Sequence, residues 1–395
     1  MTDVTEPRLP KVSLFDTTLR DGEQAPGNAM TVEQKLELAL AVEAIGVDVV
    51  EAGFPSSSPV DFEATRRIAN ALTTASVATL NRAVRDDVRL AVEAGGTRRH
   101  HLGVMATGSD IHLKHKRGIS RAEAQAEVVD AIGYARSLGA EHVTLAIEDA
   151  SRGTDDLLRP LIERSIEAGA DTVVVADTTG CMMPAEYGAL IGRIRSWVPA
   201  RTTIATHCHE DMGLSLANAL AGVAAGADEV QATLGGVGER AGNTAIEELI
   251  AVLVYKREAV GRSTTARPQG LQRAFDALRG AIGLSAPRNK AIFGVNAFAT
   301  QAGIHQAGML RDPSTYEFVE AAVFGRERTM LVGRHSGRAV IRHVMGEMGL
   351  APNEALVNRV YAQHVAGRTG GSCMDLRDLR AVIEHELTAP GVLVS

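Results

Sequence analysis

The stretch EAGADTVVVADTTG, residues 167–180, contains the pattern that decides the fold. A helix-like end runs into a glycine, one or two small or polar residues follow, and an almost uninterrupted apolar run comes next. A glycine just past a helix can take a positive φ and close the last turn. An apolar run that does not alternate is typical of a parallel strand covered on both faces. The stretch therefore predicts a helix, a turn and a buried parallel strand.

The same junction recurs along the chain and predicts a regular architecture. Eight apolar runs read as strands, at 12–16, 47–53, 75–81, 100–106, 141–148, 171–177, 202–209 and 228–235. Helix-like segments follow them, at 31–45, 59–71, 83–95, 121–138, 154–168, 184–196, 213–226 and 244–258. Eight β–α units in about 250 residues predict a (β/α)8 TIM barrel. The alternative, a doubly wound open sheet, normally has a glycine-rich nucleotide-binding turn after its first strand, whereas DTTLRDGEQ follows here.

The character of the sequence changes after residue 260. GRSTTARPQG (261–270) is typical of a linker. A distinct loop, LVGRHSGRAV (331–340), lies among later helix-like segments at 271–282, 336–349, 352–365 and 375–388. We therefore expect the barrel at 11–260 and, at 261–395, a linker with a mainly helical accessory region.

Composition excludes several classes of protein. Apolar residues make up 45% and charged residues 23%, which suits a globular chain with a sizeable core. The formal net charge of −7, without a basic stripe, argues against a nucleic-acid partner. No apolar run approaches the roughly 20 residues of a membrane span. Three scattered cysteines and an N-terminus without an apolar signal region indicate a cytoplasmic protein.

Reactive side chains fall at one end of the predicted barrel. In this fold the chemistry sits at the C-terminal ends of the strands. Six strands place candidates there: Arg20, Asp21, Glu51, Glu148, Asp149, Asp177, Thr178, His207, His209, Glu239, Arg240 and Asn243. Their shared position predicts an active site at this end of the barrel.

The stretch THCHEDMG (206–213) predicts a metal site. His207 and His209, two apart on a strand, point to the same side and into the barrel mouth, while Cys208 points towards the helices. Two imidazoles and a carboxylate are a common set of ligands for a divalent metal, and Asp21 at the end of strand one is the candidate third ligand. The structural alternative is a pair of hydrogen-bonded histidines in the core.

Two neighbouring features stay open. Glu210 and Asp211 either orient the histidine rings or stabilise the start of the next helix. The glycine-rich stretch LGGVGERAGN (234–243) is either a structural turn or a loop that binds a ligand.

These motifs carry a family resemblance. FDTTLRDGEQAPG (15–27), EAGFPSSSPVDFE (51–63), EDASR (148–152), THCHEDMGLSLAN (206–218), GGVGERAGNTAIEEL (235–249), AGIHQAGML (302–310) and GRHSGR (333–338) resemble the 2-isopropylmalate, homocitrate and citramalate synthases. These enzymes form the acyl-CoA-condensing branch of the DRE-TIM metallolyases. The resemblance runs in order from about residue 11 to about 345.

The resemblance implies an acyltransferase of amino-acid biosynthesis. Acetyl-CoA would condense with a 2-oxo acid and the thioester would then be hydrolysed, giving a 2-alkyl-2-hydroxy dicarboxylate. A divalent metal (Mn, Mg, Zn or Co) would be held by Asp21, His207 and His209, with Asn243 at or near it. Arg20 would stabilise the developing alkoxide, a role suited to a fixed cation.

Further roles follow by the same resemblance. Glu148, His305 and Tyr316 would be catalytic, Gln24 and Thr178 would bind substrate, and the loop residues Gly236, Gly238, Glu239 and Arg240 would contact acyl-CoA or shape its loop. His305 and Tyr316 lie in the accessory region and would reach the active site of the partner subunit, which implies an intertwined homodimer.

Some of these residues also have structural alternatives. Arg20 would pair with Glu23 or Asp16, Glu148 would pair with Arg152, and Thr178 would cap a turn. His100 and His101 are expected at the end of strand four, near a histidine of the family.

The identity of the 2-oxo acid depends on few residues. The motifs favour specificity like that of 2-isopropylmalate synthase, with homocitrate-like or citramalate-like specificity or a specialised paralogue as alternatives. Thr144 stands where lysine-pathway homocitrate synthases carry an arginine for a second carboxylate, which counts against that branch. Ala146 replaces a usual serine. The stretch after residue 338 indicates no leucine-binding domain.

Two other classes remain as alternatives. A metal-dependent acyl-CoA lyase or aldolase on the same barrel would lack the accessory region. A catalytically silent relative would not need Arg20, Asp21, His207 and His209.

Overall fold

The computed structural model describes residues 9–351 and 353–388. Eight parallel strands close into a barrel in which each strand pairs with the next and the eighth pairs with the first. The strands are β1 (Ser13–Asp16), β2 (Val49–Gly53), β3 (Ser76–Arg82), β4 (His100–Thr107), β5 (His142–Glu148), β6 (Thr172–Asp177), β7 (Thr203–Cys208) and β8 (Glu229–Ala232). The predicted TIM barrel is confirmed.

One long helix follows each strand. The helices are α1 (Val32–Ile45), α2 (Pro59–Ala71), α3 (Arg85–Gly95), α4 (Arg121–Ser137), α5 (Asp155–Ala168), α6 (Pro184–Trp197), α7 (Ser215–Ala224) and α8 (Ile246–Tyr255). Local chemistry sets their ends. The side chain of Thr31 accepts a hydrogen bond from the backbone N–H of Gln34, whose side chain accepts one from Thr31, so a capping box begins α1. Gly46, at φ 89°, ends the same helix in the left-handed region.

The main hydrophobic core lies between the strands and the helices. All six residues of β6 are buried, as expected for a strand covered on both faces. Tyr187 of α6 is fully buried and donates a hydrogen bond to the carbonyl of Val175. Cys208 belongs to the same apolar cluster, on the helical side of β7. Alternation along the strand therefore turns His207 to the interior of the barrel, as the sequence predicts.

The helix α9 (Leu271–Ile282) extends the barrel unit. It packs against α1 and buries Leu271, Ala274, Phe275 and Leu278, which lie on one face at helical spacing. The chain divides into two compact units between Ser285 and Ala286. By its contacts α9 thus belongs with the barrel, whereas the sequence pattern places residues 261–282 in the accessory region.

The second unit is mainly helical, as predicted. Its helices are α10 (Gly303–Met309), α11 (Arg338–Glu347), α12 (Glu354–Val360) and α13 (Leu376–Thr388). Residue 352, where the third of the predicted helices begins, lies outside the described residues. A short parallel pair, β9 (Ala299–Thr300) and β10 (Thr329–Met330), was not predicted. Within the described ranges, no helix combines the length and apolarity that a membrane crossing requires.

Candidate active site

A cavity of about 450 Å³ opens at the carboxyl end of the barrel strands. This volume suits a small-molecule site. Eight of the residues predicted for the site line it: Arg20, Asp21, Gln24, Glu148, Thr178, His207, His209 and Glu239. Four others, Gly236, Gly238, Arg240 and Asn243, lie outside its lining, and His305 and Tyr316 belong to the second unit.

Asp21, His207 and His209 form a compact cluster at the barrel mouth. Their candidate ligand atoms all lie within 4.8 Å of one another. Asp21 Oδ2 is 3.2 Å from His207 Nε2 and 3.9 Å from His209 Nε2. The three side chains are buried, so water solvates them poorly. The cluster therefore has the donor types and spacing of a divalent-metal site.

The protonation states of the candidate ligands are compatible with metal binding. His207 Nδ1 lies 3.1 Å from Gln231 Oε1, and an Nδ1–H that donates there leaves Nε2 with its lone pair towards Asp21. Burial, together with the neighbouring His207, lowers the pKa of His209 to about 4, so this ring is neutral at pH 7. Burial opposes ionisation of Asp21, but the charge of Arg20 and contact with His207 hold its pKa well below the ordinary range. The cluster thus offers an ionised carboxylate, a neutral His209 ring and a His207 ring whose Nε2 faces Asp21.

Two buried atoms of the site lack hydrogen-bond partners. In the described part of the chain, neither His209 Nδ1 nor the side-chain oxygen of Asn243 makes a hydrogen bond. Asn243 pairs with His209 in an isolated β-bridge, and its side-chain nitrogen donates to the carbonyl of Val237 at 3.2 Å. A buried acceptor without a partner is costly. The amide oxygen of Asn243 beside the ligand cluster thus fits a cation.

Arg20 is a fixed cation in the cavity. Its Nη1 donates to Asp21 Oδ2 at 2.9 Å and its Nε donates to Glu51 Oε2 at 2.8 Å. Its side chain is only 10% exposed. The pairing with Glu23 or Asp16 considered from the sequence is wrong, because Glu23 pairs with Lys35 and Asp16 accepts from Thr18.

Glu148 pairs with a residue that the sequence did not single out. Lys116 Nζ donates to both carboxylate oxygens of Glu148, at 2.6 and 2.7 Å. Lys116 lies on the helical turn Leu113–Arg117 after β4 and lines the cavity. The alternative pairing of Glu148 with Arg152 is wrong, because Arg152 binds Asp149 instead. In the sequence, the basic run KHKR (114–117) after the fourth strand is the feature from which Lys116 could have been identified as a site residue.

Thr178 keeps its hydroxyl hydrogen available to the cavity. Its Oγ1 accepts a hydrogen bond from the backbone N–H of Asp149 at 2.8 Å. A hydroxyl that accepts in this way can still donate once. Gln24 ends the short turn Gly22–Gln24 after β1 and also lines the cavity.

The glycine-rich loop wraps around Asn243. Gly238 has φ 155°, and a Cβ there would collide with Asn243 Nδ2, so a side chain at this position would displace the amide. Arg240 leaves the loop and donates to both oxygens of Asp211 at 2.8 Å and to the carbonyl of Thr178 at 2.7 Å. It thereby ties together the loops that follow β6, β7 and β8.

Glu210 and Asp211 take structural roles. Glu210 Oε2 accepts from the backbone N–H of Ser215 at 2.8 Å, at the start of α7. Asp211 pairs with Arg240. The interpretation of Glu210 as a helix-start residue is thus confirmed, and hydrogen bonding of either acid to the histidine rings is not seen among the described residues.

His305 and Tyr316 contact each other on the surface of the second unit. Their ring centroids are 4.2 Å apart. His305 lies on α10 and is exposed, and Tyr316, directly after the turn Pro313–Thr315, is 51% exposed. Both side chains are therefore open to solvent or to another chain.

The cavity continues below the ligand cluster. His101 and Thr144 line its deeper part. His100 and His101 open β4, so the expectation that they end this strand is wrong. His100 is buried and its ring nitrogens lie 2.8 Å from Thr79 Oγ1 and from the carbonyl of Gly96. Only His101 of the two reaches the cavity.

Comparison with known proteins agrees with this geometry. Residues 11–272 match the HMGL-like family, and residues 292–367 match the homocitrate synthase post-HMGL domain-like family. A 2-isopropylmalate synthase of Pyrococcus furiosus is 38% identical over 385 residues, which cover 95% of this chain and 76% of that protein. The enzyme of the same name from Bacillus velezensis is 38% identical over 357 residues, 89% of this chain and 68% of that protein.

Solved structures resemble the barrel. An HMG-CoA lyase of Bacillus subtilis superposes with a TM-score of 0.61 at 20% identity, over 71% of this chain and 97% of the lyase. The hydroxymethylglutaryl-CoA lyase of Pseudomonas aeruginosa superposes with a TM-score of 0.60 at 21% identity, over 70% of this chain and 95% of that lyase. At this identity the likeness shows the fold alone. The sequence relatives extend through both units, and the chain belongs to the 2-isopropylmalate synthase family.

Proposed function

We propose that this chain is an acyltransferase that condenses acetyl-CoA with a 2-oxo acid and hydrolyses the thioester. A bond forms between the methyl carbon of the acetyl group and the keto carbon, and water cleaves the C–S bond to release CoA. The product is a 2-alkyl-2-hydroxy dicarboxylate. The observation that carries the proposal is the cluster of Asp21, His207 and His209 beside Arg20 in the cavity.

Asp21, His207 and His209, with Asn243 beside them, would hold a divalent ion, which supplies Lewis acidity and a template for the 2-oxo acid. Arg20 places a permanent positive charge where the keto oxygen gains negative charge during C–C bond formation. Its bonds to Asp21 and Glu51 fix the guanidinium before substrate arrives. Thr178 has a hydroxyl hydrogen to donate to the substrate carboxylate, because its oxygen already accepts from Asp149.

Proton transfer is assigned to groups in both units. Glu148, a carboxylate lining the cavity, is one candidate to take a proton from the acetyl methyl group, and Lys116 fixes its position. His305 and Tyr316 are the other candidates, supplied by the partner subunit of a homodimer. Large apolar side chains beside this pair support a protein partner, since Ile304 is 82% and Phe318 61% exposed.

The test is release of free thiol from acetyl-CoA with a panel of 2-oxo acids. Pyruvate, 2-oxoisovalerate, 4-methyl-2-oxovalerate, phenylpyruvate and 2-oxoglutarate would each be supplied with Mn, Mg, Zn or Co. We expect release that depends on both the 2-oxo acid and the metal. The same protein incubated with 3-hydroxy-3-methylglutaryl-CoA tests the lyase alternative. Cleavage of its C–C bond to acetyl-CoA and acetoacetate, without thiol release from acetyl-CoA with any 2-oxo acid, would overturn the proposal.

A further inference from the structure

The cavity extends far below the ligand cluster. Thr144, Ala146 and Glu148 alternate on β5 and all three line it. Glu148 ends the strand, and Thr144 lies four residues earlier, about 13 Å along a strand that rises about 3.3 Å per residue. A strand tilt of about 36° leaves roughly 10 Å of depth along the barrel axis. The binding space thus reaches well into the barrel interior.

Small side chains create this depth. We call the lower cavity the part lined by Ala78, His101, Gly103, Thr144, Ala146 and Val174. Alanine, glycine and threonine hold four of these positions, where barrels of this fold usually place valine, isoleucine or leucine. At Gly103 a Cβ would stand 2.9 Å from the carbonyl oxygen of Thr79, so the backbone packing itself disfavours a side chain there. The space is therefore a product of the strand packing as well as of side-chain size.

The lower cavity is electrically neutral. Five charged lining residues lie at the carboxyl ends of strands or in the loops beyond them: Arg20, Asp21, Lys116, Glu148 and Glu239. The sixth, Glu51, lies midway along β2, in register with Ala78, and its carboxylate is paired with Arg20. The ring of His101 stacks on His142 with centroids 4.7 Å apart. Burial, with His142 nearby, lowers the pKa of His101 to about 4, so it is uncharged at pH 7. Among the six residues that define the lower cavity, none can pair with a second carboxylate.

We propose that the 2-oxo acid of this site carries a neutral side chain larger than the isopropyl group of 2-oxoisovalerate, and that this side chain fills the lower cavity. The inference rests on the proposed function. A carboxylate at the far end of the substrate would lose its water without gaining a cation. An apolar or aromatic group would instead leave water for a surface of small, uncharged side chains. One methylene in a hydrophobic pocket changes kcat/KM about tenfold or more.

The first test ranks kcat/KM of the wild-type protein over the panel, at saturating acetyl-CoA. We expect 4-methyl-2-oxovalerate or phenylpyruvate to exceed 2-oxoisovalerate about tenfold, and 2-oxoglutarate to be the poorest of the larger substrates. Highest kcat/KM with pyruvate, 2-oxoisovalerate or 2-oxoglutarate overturns the inference. If no 2-oxo acid releases thiol, the proposed function fails separately, and calorimetric affinities of the metal-loaded protein for the same acids still decide the preference.

The second test fills the lower cavity. Ala146→Leu should lower the ratio of kcat/KM for the largest substrate to that for pyruvate by about 100-fold, with the KM for acetyl-CoA unchanged. Ala122→Leu, the same change at an exposed position of α4, is the matched control. Ala146→Val gives a smaller filling if the leucine variant does not fold. An equal loss for every 2-oxo acid, or a raised KM for acetyl-CoA, would assign the space to the thioester and contradict the inference.

Discussion

Arg20 in the barrel and His305 in the second unit are both candidate catalytic residues, and their surroundings are opposite. Arg20 is buried and held by Asp21, in the loop after β1, and by Glu51, in the middle of β2. His305 is exposed and its ring contacts Tyr316. Hydrogen bonds within one chain thus fix the barrel residues in place before substrate binds. Among the described residues, no side-chain hydrogen bond of this kind is seen at His305 or Tyr316, and we therefore propose that another subunit completes their surroundings.

Among the substitutions in the barrel, loss of a proposed metal ligand is expected to have the largest effect on activity. His207→Ala should abolish turnover and metal binding together, because a metal supplies several kcal/mol of transition-state stabilisation, on the order of 1,000-fold in rate. Metal analysis and thiol release on the same sample measure both. His343→Ala, at a surface histidine paired with Glu347, is the control. Full metal content in the His207 variant would refute the ligand assignment.

The second unit should respond differently to the same kind of change. His305→Ala should lower kcat about 100-fold, within the range of general acid–base catalysis, and leave metal content intact. A mixture of His305→Ala and His207→Ala chains, unfolded and refolded together, should regain activity, since some mixed dimers then have one complete site. Titrating one variant against the other measures the recovery. No recovery, in mixed dimers verified by mass spectrometry, would argue against residues shared between subunits.

Lys35 tests how firmly the barrel loops are held. Its side chain is fully buried and its Nζ binds Glu23, at 2.6 Å, and Asp61. Lys35→Met leaves two largely buried carboxylates without a cation, which should lower the free energy of unfolding by about 3–5 kcal/mol. Urea unfolding measures the change. Arg67→Met breaks the exposed pair with Glu33 and should lower the free energy of unfolding by at most about 1 kcal/mol. Equal losses in the two variants would contradict a stabilising role for the buried ion pairs of Lys35.

The smallest effect is expected at the amino end of the barrel, at Glu229 in β8. Burial raises its pKa to about 7, although Ser13 donates a hydrogen bond to it. The unfolded chain releases this proton near the ordinary glutamate pKa of 4.5, so stability falls as the pH rises from there to about 7 and stays lower above it. Glu229→Gln should therefore be more stable than wild type by on the order of 1–3 kcal/mol above pH 7, and by little at pH 4.

Thermal unfolding of both proteins across pH 4–8 checks this sign. The exposed Glu258→Gln serves as control. A constant difference between Glu229→Gln and wild type across that range would mean that ionisation of Glu229 is not linked to folding.

Much of the barrel could be predicted from sequence because its signals are local. The glycine junctions and the apolar runs mark strands within a few residues. The run 228–235 is longer than the strand β8 (Glu229–Ala232), because the chain turns at Leu234–Gly236, with Gly235 at φ 72°. The histidine pair and Asp21 were found because strand alternation and the barrel rule place them without knowledge of loop paths.

The partners of the charged residues could not be predicted in the same way. Glu148 meets Lys116 only because a helical turn after β4 leads the chain back across the mouth. Arg240 meets Asp211 because two loops from different strands approach each other. Such pairings depend on loop geometry, which residue spacing does not encode. The exposure of His305 and Tyr316 likewise follows from the fold of the second unit.

Closure of the barrel has a consequence for how the protein acquires activity. The backbone N–H of Leu234, after β8, donates to Thr18 Oγ1, after β1, at 2.8 Å, a contact that joins residues 216 positions apart. Contacts of such long range form late, because the intervening chain must be ordered first. Asp21 meets His207 of β7, and His209 directly after it, only in the closed ring. During synthesis β1 therefore lacks one of its two neighbouring strands until β8 has been made. After refolding, the rate at which thiol release returns should report the closing of the barrel, and not the earlier collapse of the chain.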